Sequence, residues 1–322
     1  MYNTIILGPS KVGKTALVAS LKHASDIATV KENKLAIRTI PKNQSTRDIF
    51  VKAMTVVQEG DMPFPGTSLD IQYDFIIELK TEPTGLWENI ETIWGGNECS
   101  GRFMFMDAPG GAVFNDDIKR NSQNNPTFKN MVQQMLDAQG IILCVDMTLA
   151  LENNAAEKKR IQDYYLKSLR FFLSSGFQVT IPFQRVCFLL TKSDLYLERA
   201  GLSDKESTLL HDSLRPMKIV REIVGLESLK TLSVFSEPDS QICFSTTSVF
   251  GFINGTINSH FKSTVLPEGE QYNPHYKSPK IIIRPEEWQP YNIAESFAFM
   301  LSGEKHHPAQ DIMTFEELRQ HI

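Results

Sequence analysis

Apolar residues in this chain fall into short runs separated by polar stretches of helical spacing. Tyr2–Leu7 is a strand-like run that feeds Gly8-Pro-Ser-Lys-Val-Gly-Lys-Thr15, and Ala16–Leu21 then takes up a helical pattern. Lys34–Ile40 predicts a short strand. Thr46–Glu59 predicts a helix with Ser45 as N-cap, Ile49, Ala53, Val56 and Val57 on one face, and Gly60 as its stop. After the loop Pro63-Phe-Pro-Gly-Thr67, the stretch Ile71–Lys80 alternates Tyr73, Phe75, Ile77 and Leu79 at strand period. A connection over 81–101 leads to a strand at Arg102–Met106, the tight Asp107-Ala-Pro-Gly-Gly111 and an Asn-rich segment over 112–129.

The second half repeats the alternation. A helix at about 130–138 precedes Gly140–Asp146, an almost continuous apolar run of the kind buried on both faces of a parallel sheet. A long amphipathic helix over 152–174 follows, then a strand at Arg185–Leu190, helices near 204–224, a strand at Gln241–Phe244 and a helix at Ile293–Leu301. Thr314-Phe-Glu-Glu317 is a capping-box signature for a short terminal helix. Strands alternating with helices predict an α/β fold in three layers, its mostly parallel sheet covered by helices on both faces. One domain is expected over 1–303, with insertions at about 26–66, 81–101 and 254–290. Residues 304–322 read as a C-terminal tail with a short helix.

Composition narrows the classes. The 322 residues are 41% hydrophobic, which excludes a disordered chain, and carry a net charge of −5, which gives no global reason to expect nucleic acid. No apolar stretch reaches the ~18 residues of a membrane span. Cys99, Cys144, Cys187 and Cys243 stand singly, without metal-ligand spacing, so a reducing compartment without disulfides or zinc is expected. No signal peptide precedes the first strand, Tyr2 stands where myristoylation needs glycine, and the last residues form no prenylation box. A cytoplasmic protein is expected.

Gly8–Thr15 matches G-x-x-x-x-G-K-T, the phosphate-binding loop, between a strand and a helix. In such a loop, backbone N–H groups over Gly8, Ser10, Lys11, Val12, Gly13, Lys14, Thr15 and Ala16 converge on phosphates. Lys14 reaches the terminal phosphates, and Thr15 offers a hydroxyl to Mg²⁺. Thr191-Lys192-Ser193-Asp194-Leu195 follows an apolar strand, where a carboxylate can accept from the guanine ring N–H and the exocyclic amine; adenine cannot supply that pair.

With these residues in this order, the chain resembles a P-loop GTPase of the Ras-like, translation-factor-related class. The resemblance implies that Asp107-Ala-Pro-Gly110 is the D-x-P-G element, with Asp107 in the Mg²⁺ shell and Gly110 N–H sensing the γ-phosphate. It also implies that Ser245, Thr246 and Thr247 form the element whose backbone meets the guanine oxygen, that Lys192 lies along the base, and that Thr67 is the switch threonine closing on Mg²⁺ and γ-phosphate. Lys14, Thr67 and Gly110 are thus the expected catalytic positions, and Thr15, Thr67 and Asp107 the metal ligands. The intervals from Lys14 to Thr67 and from Thr67 to Asp107 are longer than in a minimal relative. The helix before Gly60, the P-F-P-G-T loop and Trp288-Gln-Pro-Tyr-Asn-Ile293 are similar to the bacterial double-GTPase family.

The expected activity is Mg²⁺-dependent hydrolysis of GTP to GDP and phosphate by a conformational switch with a protein effector or activating partner. Gly111 stands where many relatives carry a Gln or His that orients water, so the intrinsic rate is expected to be slow unless Asn115, Arg120, Gln123 or an arginine supplied in trans completes the site. Two alternatives stand beside this: a GTP-binding interaction module with little turnover, and a P-loop ATPase or kinase. Trp87, Trp94 and Trp288 read first as packing anchors, His306-His307 as a solvated tail, and Glu157–Arg160 as a solvated helix face.

Overall fold

In the computed structural model of this chain, the residues described are 1–9, 11–32, 35–59, 72–81, 98–106, 133, 137–175, 183–202, 215–253, 256–257, 261–263, 280–282 and 288–322. The first half contains β1 (Tyr2–Leu7), α1 (Lys14–Glu32), β2 (Leu35–Pro41), α2 (Gln44–Glu59), β3 (Gln72–Thr81), β4 (Glu98–Met106) and β5 (Gly140–Asp146). A single 3-10 turn at Met147–Leu151 then leads to α3 (Ala155–Ser175), β6 (Arg185–Thr191), α4 (Ser193–Arg199), α5 (Arg215–Val224), α6 (Leu226–Phe235) and β7 (Gln241–Thr246). Four short strands follow, paired as β8 (Phe252–Ile253) with β9 (Thr256–Ile257) and β10 (Phe261–Ser263) with β11 (Lys280–Ile282). The chain ends with α7 (Ala294–Ser302), β12 (Gln310–Thr314) and α8 (Phe315–His321).

Among the described residues eight strands form one sheet in the order β12-β7-β6-β5-β1-β4-β3-β2. The five central strands run parallel, and β12, β3 and β2 join antiparallel. Alternation in β5 explains the layering. Ile141, Leu143 and Val145 enter one core with Tyr165 and Leu169 of α3, Val220 of α5 and Leu232 of α6, while Ile142 and Cys144 enter the other with Leu17 of α1 and Phe297 of α7. The three-layer α/β expectation therefore holds. Among the described residues no helix is long and apolar enough to cross a membrane.

The segment expected as a tail instead completes the sheet. β12 pairs with β7 from Gln310↔Ser245 to Thr314↔Gln241, and Phe315 and Leu318 of α8 are fully buried. His306 is packed as well: burial holds its imidazole below the usual range, and its Nε2 lies 2.7 Å from Ser302 Oγ. Edge pairing is non-local and leaves only a weak trace in a half-polar strand such as Gln-Asp-Ile-Met-Thr, which is why the pattern of apolar positions missed it. For the same reason β4 starts at Glu98, earlier than its apolar part: the Glu98-Cys-Ser-Gly stretch is drawn into the sheet by its register with β3, from Lys80↔Glu98 onward.

The insertion between α1 and β3 builds the opposite edge. β2 pairs with β3, burying Ile37 and Thr39 while Arg38 faces out, and Thr39 Oγ1 lies 2.7 Å from Ser25 Oγ of α1. Asn43, one residue before the first of α2, is the helix cap, its Oδ1 accepting from Thr46 N at 2.9 Å, where the sequence suggested Ser45. Thr46 then receives Asp74 N at 2.8 Å, and the Asp74 carboxylate takes a two-pronged grip from Arg102 at 2.9 and 2.6 Å. Strand, helix and sheet edge are stitched as one unit.

Two outcomes follow. Phe297 is fully buried with its ring centroid 5.2 Å from Phe103 and 6.1 Å from Phe75, so Phe297→Ala should lower unfolding free energy by about 3–5 kcal/mol in urea denaturation. Glu317 accepts from Thr314 N–H and hydroxyl, which holds its carboxyl below the usual range. Its folded-state pKa being depressed, its contribution is present above the ordinary carboxylate value and is lost as pH falls through the depressed one. The protection factors of the α8 amides, taken against their intrinsic exchange rates at each pH, should therefore fall on acidification, and Glu317→Gln should remove that fall.

Candidate functional site

β1 delivers the chain to the glycine loop at the carboxyl end of the parallel strands, where ligand crevices of open α/β sheets form. Ser10 lies outside the described residues. The loop turns through Lys11 at φ 66° and Gly13 at φ 98°. The latter value favours glycine, because a Cβ there is strained. α1 starts at once, Leu17 N donating to Gly13 O at 2.9 Å. Thr15 and Ala16 are half-buried at its first turn.

The carbonyls of this loop are taken up by the protein. Lys14 is buried, and its Nζ donates to Gly8 O at 2.9 Å and Pro9 O at 2.8 Å, 5.7 Å above the Phe105 ring. Lys192 Nζ donates to Lys11 O at 2.7 Å. Thr191 Oγ1 donates to Val12 O at 2.6 Å, with Val145 O at 3.2 Å. With the carbonyls of Gly8, Pro9, Lys11, Val12 and Gly13 engaged, the loop presents its amide side to a ligand. That polarity suits an anion at a helix N-terminus.

The second half of the site stands on β6 and β7. Lys192 adopts the left-handed conformation at φ 60°, which turns its side chain back over the loop, its Cε 3.7 Å from where a Gly13 Cβ would stand. Asp194 is 2% exposed and accepts from Ser248 Oγ at 2.9 Å; Leu195 beside it is half-buried. Ser248 Oγ in turn accepts from Gly251 N at 2.8 Å and Phe250 N at 3.2 Å, so the turn after β7 closes around one hydroxyl.

The three residues chosen from sequence for that turn sit differently. Ser245 and Thr246 lie inside β7 and are fully buried. Asn292 Nδ2 donates to Ser245 Oγ at 2.8 Å and Thr246 O at 2.9 Å. Thr247 bonds back to Leu190 O, and its own carbonyl accepts from Ser193 N and Oγ at 3.2 and 3.0 Å. The hydroxyl that reaches Asp194 belongs to Ser248, which sequence reasoning missed. The signal was present as a second Ser three places on, but the strand's end could not be fixed from an apolar run that fades into Ser-Thr-Thr-Ser.

A brace from the end of the chain holds this turn. Trp288 is buried and donates from Nε1 to Val249 O at 2.7 Å. Its ring stacks on His23 of α1 at 4.4 Å, and Trp288 O lies 2.8 Å from His23 Nε2. A Cβ on Gly251 would meet Gln289 O at 1.7 Å, so this crossing requires glycine. The reading of Trp288 as a packing anchor agrees with this geometry, whereas Trp87 and Trp94 lie outside the described residues.

Thr67, Asp107, Gly110 and Gly111 also lie outside the described residues, as do Asn115, Arg120 and Gln123. Of the three expected Mg²⁺ ligands only Thr15 is described. It supplies a hard hydroxyl oxygen next to a buried ammonium, which is the donor chemistry Mg²⁺ accepts. Among the described residues no group of three or more His, Cys, Asp or Glu could hold a metal ion.

Loop and sheet order give a three-layer α/β fold whose glycine loop joins β1 to α1. No protein-family model and no curated protein matches the chain. Among solved structures it is similar to the signal recognition particle receptor SRb-GTP/SRX complex from Chaetomium thermophilum, at 15% identity over 79% of this chain and 94% of that chain, with a TM-score of 0.36. It is also similar to the ADP-ribosylation factor-like GTP-binding protein (small COPII coat GTPase SAR1) from Encephalitozoon cuniculi in complex with GDP, at 14% identity and TM-score 0.29, covering 69% of this chain and 60% of that chain. The GTP-bound GTPase-like domain of S. cerevisiae Ski7 gives 14% identity and TM-score 0.33, over 84% of this chain and 47% of that chain.

Thr191→Val keeps shape and removes the donor to Val12 O. Urea denaturation should show a loss of about 1–2 kcal/mol.

Proposed function

We propose that this protein binds guanine nucleotide and hydrolyses GTP to GDP and phosphate in a Mg²⁺-dependent cycle that switches its conformation. The observation that carries the reading is the buried Asp194 carboxylate, fixed by Ser248 at the end of β6 beside a lysine anchored on the phosphate loop. A carboxylate so held accepts from the guanine N1–H and 2-amino groups, and adenine offers no such pair. Val249 N–H, in the turn braced by Trp288, is the amide for the guanine oxygen. The Lys192 stem supports one face of the base.

Phosphates lie on the loop amides, and the Lys14 ammonium, anchored on the Gly8 and Pro9 carbonyls, meets the β/γ oxygens. Thr15, with Thr67 and Asp107, would hold Mg²⁺, which would supply positive charge to offset that of the phosphate oxygens. Gly110 N–H reads the γ-phosphate, and the segments around Thr67 and Gly110 are the switch. A protein effector or activating partner in the cytoplasm reads that switch, and the cycle uses neither nucleic acid nor membrane insertion.

Gly111 favours a second reading, a GTP-binding interaction module with little turnover, because glycine has no side chain to orient water. Single-turnover phosphate release from tightly bound GTP separates the two. Release within minutes to hours supports the hydrolase, and none over days supports the module.

The guanine assignment is tested with fluorescent GTP, GDP and ATP analogues. Wild type should prefer guanine by a factor of at least about 100, and Asp194→Asn should lose most of that preference while gaining affinity for xanthine nucleotides, whose 2-oxo group accepts from the new amide. Equal ATP and GTP affinity would return the chain to the ATPase or kinase class.

A further inference from the structure

We propose that Asp146, the last residue of β5, is a positioning residue for nucleotide retention, acting through Lys192. The inference rests on the guanine-nucleotide reading above. Asp146 belongs to neither the loop nor the strand-end motif, and the apolar strand before it reads as pure core.

The geometry is specific. The Asp146 carboxylate has its two oxygens divided between two tasks. Oδ1 accepts from Thr148 N at 3.0 Å and Thr148 Oγ1 at 2.6 Å, which caps the 3-10 turn after β5 and fixes the carboxylate's rotation. Oδ2 accepts from Lys192 Nζ at 2.5 Å. The pair is sheltered, with 14% of the Asp146 side chain and 30% of the Lys192 side chain exposed, so solvent screens it less than a surface ion pair.

Lys192 Nζ therefore has two fixed acceptors, Lys11 O on the loop and Asp146 on β5, while its Cα is set by a left-handed turn. Three points of attachment immobilise a side chain that ordinarily loses considerable rotamer entropy on ordering. The methylene stem is thereby held as a ledge between phosphate loop and base, already in place before a nucleotide docks. Without the carboxylate, the ammonium keeps one neutral acceptor, and the stem must be ordered by the nucleotide itself. The consequence is faster release. It is shared by every purine nucleotide that uses the ledge, since Asp146 does not touch the base edge read by Asp194.

The test measures dissociation of N-methylanthraniloyl-GDP and of the corresponding inosine nucleotide, which lacks the 2-amino group, from the full chain. Asp146→Asn keeps an oxygen for Thr148 and turns an amide donor toward the ammonium. It should speed release of both nucleotides by the same factor, roughly tenfold. Lys192→Met should speed release comparably, and adding Asp146→Asn to Lys192→Met should change the rate less than twofold. Thr148→Val, which loses the side-chain half of the cap and leaves the ion pair, should stay within about twofold of wild type.

An additive double variant, a Thr148→Val effect as large as that of Asp146→Asn, or an unchanged rate in Asp146→Asn would overturn the proposal while leaving the guanine reading intact. A wild type that does not retain guanine nucleotide overturns both. Should Asp146→Asn fail to fold, Asp146→Glu retains the charge but moves the carboxylate out by one methylene, and it must still accelerate release.

Discussion

The arrangement depends on where the carbonyls of one short loop find their donors. A loop that binds phosphate must aim N–H groups at the ligand, which sends its carbonyls back toward the protein, where each needs a donor or costs free energy. Here Lys14 serves Gly8 and Pro9, Lys192 serves Lys11, Thr191 serves Val12, and Leu17 N serves Gly13. Two of those donors, serving three carbonyls, come from the loop's own helix, and the other two come from a strand end about 180 positions away. The glycine loop and the T-K-S-D element are therefore one hydrogen-bonded object.

That coupling extends outward through strand ends. Asp194 is held by Ser248, whose turn is held by Trp288. Trp288 stacks on His23 of α1, the helix that the phosphate loop opens. The strand-end element and the glycine loop are thus joined twice, once directly through Lys192 and once around the back through the brace. Gln310–Thr314 then closes the sheet beside β7, and β2 closes it beside β3, so additional strands flank the five parallel ones at both margins.

Much of the fold was legible. β5 and β6 are apolar on both faces, so their burial between helices follows from composition alone, and the long helix after β5 shows its period plainly. The glycine loop was legible because its chemistry admits few residue types. What escaped were features whose cause is a distant partner. β12 is a strand because β7 has a free edge, the polar start of β4 is a strand because β3 runs beside it, and Thr46 in the first turn of α2 is engaged by Asp74 N from β3.

The candidate site divides along the same line. Lys14, Thr191, Lys192 and Asp194 are fixed by local order: a glycine turn before a helix, and polar residues where an apolar strand stops. Ser248 and Asn292 became visible only when β7 acquired its length, because Ser-Thr-Thr-Ser offers several similar hydroxyls and only the sheet register decides which are inside. The sequence by itself determined the amide-rich loop and the strand-end carboxylate, since each is encoded within a few residues. Tertiary structure decided which hydroxyl steadies that carboxylate and which acid steadies the lysine, because side chains far apart in the chain meet only through strand pairing.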